Sequence, residues 1–180
     1  MFTYKLTKKH TQGFTLVEML IAVFIFTVSL AALMSVSARG IKSANFAQKR
    51  IIADYLALEG IEVVRNIRDS ALLSFSSEST WQDVFDQDGC LSQGGADPSC
   101  QFILGGNITL EPCTAPCTVY YSESSNAYQH NQLPGYVDSG FTREIKLTTV
   151  PSNNREIIVS VIVDWGTDQV VYTDDLMLWL

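Results

Sequence analysis

Apolar positions along this chain follow three different spacings. From Met19 to Ala38 twenty consecutive residues carry no charge, and almost all are apolar. At about 1.5 Å of rise per residue, that run predicts a helix of roughly 30 Å, the hydrocarbon thickness of a bilayer. From residue 41 the spacing changes to steps of three and four. Ile41, Ala44, Ala47, Ile51, Tyr55, Leu58, Ile61 and Val64 make one stripe. Arg39, Lys42, Lys49, Arg50, Asp54, Glu59 and Glu62 fall mostly between them, so this half is amphipathic. No proline precedes Pro98. The pattern therefore predicts one helix from about Phe14 to about Arg68. Gly40 and Gly60 each cost about 1 kcal/mol relative to alanine in a helix, and bends are expected there.

Beyond a Ser-rich joint at 70–80, the spacing drops to two. In FTREIKLTTV, Phe141, Ile145 and Leu147 alternate with Thr142, Glu144 and Lys146. A turn at 151–154 leads into EIIVSVIVDW, where Ile157, Val159, Val161, Val163 and Trp165 share a face. Gly166-Thr-Asp168 turns again into QVVYTDDLMLWL. Three strands joined by short turns predict an antiparallel meander. Upstream, QFIL-GGN-ITLE at 101–111 has the form of a hairpin, with TVYYS at 118–122 as a further strand. A sheet must cover its apolar face, and the amphipathic half of the helix is the element available. The expected fold is α+β, a long N-terminal helix packed against a C-terminal antiparallel sheet, shaped like a lollipop.

Charge sharpens this division. Lys5, Lys8 and Lys9 precede the apolar run, with no acid among residues 1–13. Residues 70–180 hold fourteen acids against Arg143, Lys146 and Arg155, a net −11. Such a head repels phosphate backbones, which argues against sequence-independent binding of nucleic acid. All four cysteines, Cys90, Cys100, Cys113 and Cys117, lie in this acidic part. Their even number fits two disulfides in an oxidising compartment. A four-thiolate zinc site and free thiols are the alternatives, although the paired CxxC knuckles usual for zinc are missing. The sequence-local pairs, Cys90–Cys100 and Cys113–Cys117, are the expected connectivity.

The N-terminus admits three readings. A secretory signal would be basic, then apolar, then cut after Val36-Ser37-Ala38, but its apolar core is usually 7–15 residues. A plain signal anchor is the second, with the cysteines placing the C-terminal part outside. Neither explains Glu18, a carboxylate beside the apolar run. The third rests on KKHTQGFTLVEMLIAVFIF, residues 8–26, which strongly resembles the leader and N-terminus of type IV prepilins and type II secretion pseudopilins. The later stretches LALEGIEVVRNIRD (56–69) and VDWG with VVYTDDLMLWL are similar to minor pilins of the PilV type.

The resemblance implies a leader at 1–13 and a membrane or filament-core helix at 14–38. An amphipathic continuation at 39–69 and an extracytoplasmic β-rich head at 70–180 would follow. It implies cleavage by a prepilin peptidase between Gly13 and Phe14, with methylation of the Phe14 amine. Glu18 would meet the Phe14 ammonium of a neighbouring subunit during assembly. Other pilin or pseudopilin subunits and an inner-membrane assembly platform are the implied partners. The precursor would sit in the bacterial cytoplasmic membrane, and the mature subunit in a surface or periplasmic filament. Many major pilins carry proline or glycine within the apolar helix; here Thr27, Ser29 and Ser35 occupy that zone.

Other chemistry is sparse. No Walker loop, HExxH, GxSxG or dinucleotide fingerprint occurs, so neither an enzyme nor a cofactor is expected. Asp86-Gln-Asp88-Gly89 fails as a calcium loop, because Val84 and Gly95 would take ligand positions; no metal is expected. His130 has no partner at a metal-ligand spacing and is expected in a loop or at the surface. Trp165, Tyr172 and Trp179 stand at strand spacing, as core or cross-strand residues rather than a sugar platform.

Overall fold

A computed structural model describes residues 13–74, 82–92, 98–104, 108–113, 116–151 and 153–177. Helix α1 runs Leu16–Ser74 without a break. A short helix α2, Asp83–Gln87, is followed by eight strands. These are β1 Leu91–Ser92, β2 Cys100–Ile103, β3 Thr109–Pro112, β4 Thr118–Ser122, β5 Ala127–Gln129, β6 Val137–Val150, β7 Asn153–Trp165 and β8 Asp168–Met177. The chain divides into two compact units, Met1–Phe46 and Ala47–Leu180, with α1 continuous through both.

The sheet is organised on β6. One edge of β6 pairs with β7 from Thr142↔Asp164 to Val150↔Asn153, and β7 pairs with β8. These three strands form the expected meander. The other edge of β6 meets β4 at 137–142, β2 at Ile145 and β1 at Leu147 and Thr148. The β1 pairing is parallel and the rest are antiparallel. The β2–β3 hairpin and β4 match the segments read from the sequence, while α2, β1 and β5 fall where irregular chain was expected. Gly105-Gly106-Asn107, the leader residues 1–12 and Trp179 lie outside the described residues.

The core lies between one face of α1 and the inner face of β6, β7 and β8. Ala53, Leu56, Ala57, Ile61, Val64, Ile67 and Ala71 are buried at helical spacing. They oppose Phe141, Ile145 and Leu147 of β6 and Ile157, Val159, Val161, Val163 and Trp165 of β7. Trp165 is a core residue beside Phe141, and Tyr172 is half-buried and donates to Asp54 Oδ1 at 3.3 Å.

The stripe read from the sequence needs correction. Ile61 and Val64 are buried, but Ile51, Tyr55 and Leu58 are 55%, 70% and 46% exposed. Ile41, Ala44 and Ala47 are also exposed. The face that meets the sheet is the one with the smallest residues. A Cβ at Gly60 would stand 2.9 Å from Val161 Cγ1, so only a glycine allows this approach without a shift. Gly60 therefore marks close packing, and both Gly60 and Gly40 lie inside the unbroken helix.

Candidate functional site

Two charged groups sit in apolar segments, and they are held in different ways. At the N-terminal end, Gly13 and Phe14 precede α1 and are exposed. Thr15 Oγ1 accepts a hydrogen bond from the Glu18 amide at 3.3 Å. Thr15-Leu-Val-Glu18 thus has the T-x-x-E spacing of a capping box, with its N-cap half formed. Glu18 also lies in the first turn, where a carboxylate favours the helix dipole. Its side chain is exposed and meets no partner among the described residues. The [ST]-x-x-E spacing was there to be read in the sequence, and it gives Glu18 a local role beside any intermolecular one.

Behind Glu18, α1 is long and apolar enough to cross a membrane, and its apolar window is wholly uncovered. Two of its hydroxyls are satisfied internally. Thr27 Oγ1 donates to Phe24 O and Ser29 Oγ to Ile25 O, each at 2.8 Å. Hydroxyls bonded to their own backbone leave fewer polar groups to satisfy in a hydrocarbon environment.

The second charged group is Arg143, which the alternation of β6 places between Phe141 and Ile145 on the inner row. It is completely buried. Nη1 donates to the Leu56 carbonyl at 3.1 Å and to Glu59 Oε2 at 2.6 Å. Nε donates to His130 Nε2 at 3.2 Å, and the guanidinium carbon lies 3.9 Å from the centre of the Phe102 ring. Nη2 has no partner among the described residues. Burial pulls the guanidinium pKa down, while the Glu59 carboxylate works against that fall. One arginine thus ties β6 to a helix carbonyl, a helix carboxylate and a loop histidine.

His130 lies in a loop, one of its two expected settings, but is buried there. Arginine cannot accept a hydrogen bond, so His130 Nε2 must be the acceptor and Nδ1 carries the proton. Nδ1 then donates to the Thr118 carbonyl at 3.2 Å. Burial and the adjacent Arg143 charge lower the His130 pKa from 6.5 to about 3. The imidazole is neutral at any ordinary pH. Reading the inner row of β6 strictly would have found Arg143, but His130 comes to it through tertiary packing.

The remaining site residues are placed simply. Disulfides join Cys90 to Cys100 and Cys113 to Cys117, with Cα separations of 5.9 and 5.6 Å. Asp86 and Asp88 belong to α2 and its C-terminal turn. No group of three or more potential metal ligands occurs among the described residues.

An apolar helix that begins at a Thr-capped turn and carries an exposed Glu18 fits a membrane-anchored precursor. Residues 8–34 match the prokaryotic N-terminal methylation motif, the signature of type IV pilins and pseudopilins. No curated protein and no solved structure matches the chain.

Proposed function

We propose that the chain is a structural subunit, of minor abundance, in a type IV pilus or a type II secretion-like pseudopilus. A prepilin peptidase cuts between Gly13 and Phe14 and methylates the new amine. The apolar helix stays in the mature subunit, the head faces the oxidising side, and α1 carries the subunit into the filament. The observation that supports this best is the methylation motif, which at residues 8–34 spans the Gly13-Phe14 bond and the start of the unbroken helix Leu16–Ser74. A cut after Ala38 would fall inside that helix, whereas a cut at Gly13 spares it.

Glu18 acquires its partner in this reading. An uncompensated acid costs roughly 2.5–3.5 kcal/mol at the bilayer centre and less near the edge. The Phe14 ammonium of a neighbour offsets that penalty and sets where each subunit stops. The test is the mass of the mature N-terminus, with Gly13→Val and Glu18→Ala as variants. Expected results are an N-methylated Phe14 terminus in wild type and an unprocessed precursor for Gly13→Val. Glu18→Ala should be cut normally but be at least tenfold depleted from sheared filaments. A terminus at Arg39 or Met1 would overturn the reading in favour of an ordinary secreted or anchored module. Equal incorporation of Glu18→Ala would remove the pairing mechanism alone.

A further inference from the structure

The apolar run of α1 ends on two cations, Arg39 and Lys42. Both are exposed, and neither holds an ion pair or hydrogen bond among the described residues. The later arginines of the helix differ: Arg65 holds Glu62 and Asp174, and Arg68 holds Asp69. No acid occurs between Glu18 and Asp54, so nothing in this stretch of helix offers Arg39 and Lys42 a carboxylate. They stand three residues apart on a helix, which puts their Cβ atoms about 5–6 Å from one another. Two side chains at that spacing reach one small anion together.

Depth selects the anion. Met19 to Ala38 cover about 30 Å, the thickness of the hydrocarbon layer. Arg39 therefore emerges at the edge of that layer, with Lys42 about 5 Å further along the axis. Headgroups occupy roughly the next 5–7 Å, the depth of the lipid phosphates. Side chains on a helix also lean toward its N-terminus, which here tips both cations back toward the bilayer. Lys49 and Arg50, about 10–12 Å beyond Lys42 on the helix rise, have passed that layer.

We propose that Arg39 and Lys42 form a binding site for anionic phospholipids in the leaflet at the C-terminal end of the span. The two cations hold one lipid phosphate through charge-assisted hydrogen bonds. A zwitterionic lipid presents the same phosphate beside its own ammonium, so the preference is for lipids of net negative charge. The contact fixes the depth of the helix and keeps Glu18 at the opposite edge of the hydrocarbon layer. It belongs to a single chain and needs no second copy. It rests on α1 spanning a membrane, not on the filament reading.

The test uses the full-length chain in phosphatidylcholine vesicles, with a fluorophore on Ser43→Cys. Cys90, Cys100, Cys113 and Cys117 are all in disulfides, so the label attaches at position 43 alone. Quenching by phosphatidylglycerol spin-labelled high on its acyl chain is compared with quenching by phosphatidylcholine labelled in the same way. At equal mole fractions phosphatidylglycerol should quench at least threefold more effectively. Arg39→Gln with Lys42→Gln should bring the ratio to one, whereas Arg39→Lys with Lys42→Arg should keep it. Lys49→Gln with Arg50→Gln should leave more than half of the preference. A ratio of one in wild type, or a preference that survives loss of both Arg39 and Lys42, would overturn the site. So would a preference that depends as strongly on Lys49 and Arg50. Loss of the preference in millimolar inorganic phosphate at constant ionic strength would assign the cations to soluble anions and overturn the lipid site. The mature N-terminus from cells separates the two ideas. A terminus at Met1 would overturn the filament reading and leave the lipid site standing, and one at Arg39 would remove the span and overturn both.

Discussion

The two halves of α1 are both rich in apolar residues and meet opposite fates. Leu16 to Ala38 is exposed on every side, with the Thr27 and Ser29 hydroxyls bonded to the backbone of their own helix. Residues 53–71 bury one face on the sheet. That buried face is the one with Ala53, Ala57 and Gly60, not the one with Ile51, Tyr55 and Leu58. Close backbone approach let Val161 and the Arg143 donors reach the helix, and this decided which face went inside. Apolar area alone would have chosen the other. The charges differ in the same sense: Arg143 finds its partners within its own fold, whereas Glu18 finds none within the described part of its own chain.

Removing a partner from each charge should show that contrast most strongly. Glu59→Ala leaves Arg143 buried without its carboxylate, a change that typically destabilises by about 3–5 kcal/mol. The 40% exposure of the Glu59 side chain lets solvent enter, which favours the lower end of that range. Guanidinium unfolding of the full chain in micelles, followed by tryptophan fluorescence, should therefore show a lowered midpoint. Glu18→Ala should leave the midpoint unchanged. Equal midpoints for Glu59→Ala and wild type would show that the arginine does not depend on this pair.

The glycines give a smaller effect and a difference of sign. Gly40→Ala adds a Cβ to open space, so helix propensity alone should stabilise the helix by about 1 kcal/mol. Gly60→Ala gains the same propensity but pushes a methyl against Val161 at 2.9 Å. Overpacking typically costs about 1–3 kcal/mol, so the net change should be a loss of roughly 1 kcal/mol. Helix content by circular dichroism and the unfolding midpoint would separate the two. A stabilised Gly60→Ala would mean that the sheet yields easily.

Much of the fold was legible because its signals are local. Twenty uncharged residues, an alternation of two over β6 and β7, and Gly166 at positive φ between β7 and β8 are each read within one segment. The rotation of α1 was not legible, because its two candidate faces are both apolar and only the sheet distinguishes them. β1 and β5 are two and three residues long, too short to show a period, and β1 is held by its pairing with β6. The N-terminal motif was legible because it is contiguous. The Arg143 cluster joins positions 56, 59, 102, 130 and 143, and no spacing in the sequence connects them.

His130 offers the finest test, because its neutrality depends on that same cluster. Its folded pKa of about 3 lies below the 6.5 of an unperturbed imidazole. Between those values the unfolded chain binds more protons than the folded one, so stability must fall as pH drops below about 6.5. The slope approaches about 1.4 kcal/mol per pH unit and vanishes below the folded pKa. Asp88 and Asp164 act oppositely, since burial raises both of their pKa values and favours the folded state as they protonate. His130→Gln removes the titration while keeping an acceptor for Arg143 Nε and a donor for the Thr118 carbonyl. Subtracting the two pH profiles therefore cancels the carboxylates and isolates the imidazole. From pH 6.5 to 5.5 the wild type should lose about 1 kcal/mol relative to His130→Gln. Parallel profiles would mean that His130 can protonate in place, with the Arg143 side chain moving away from it.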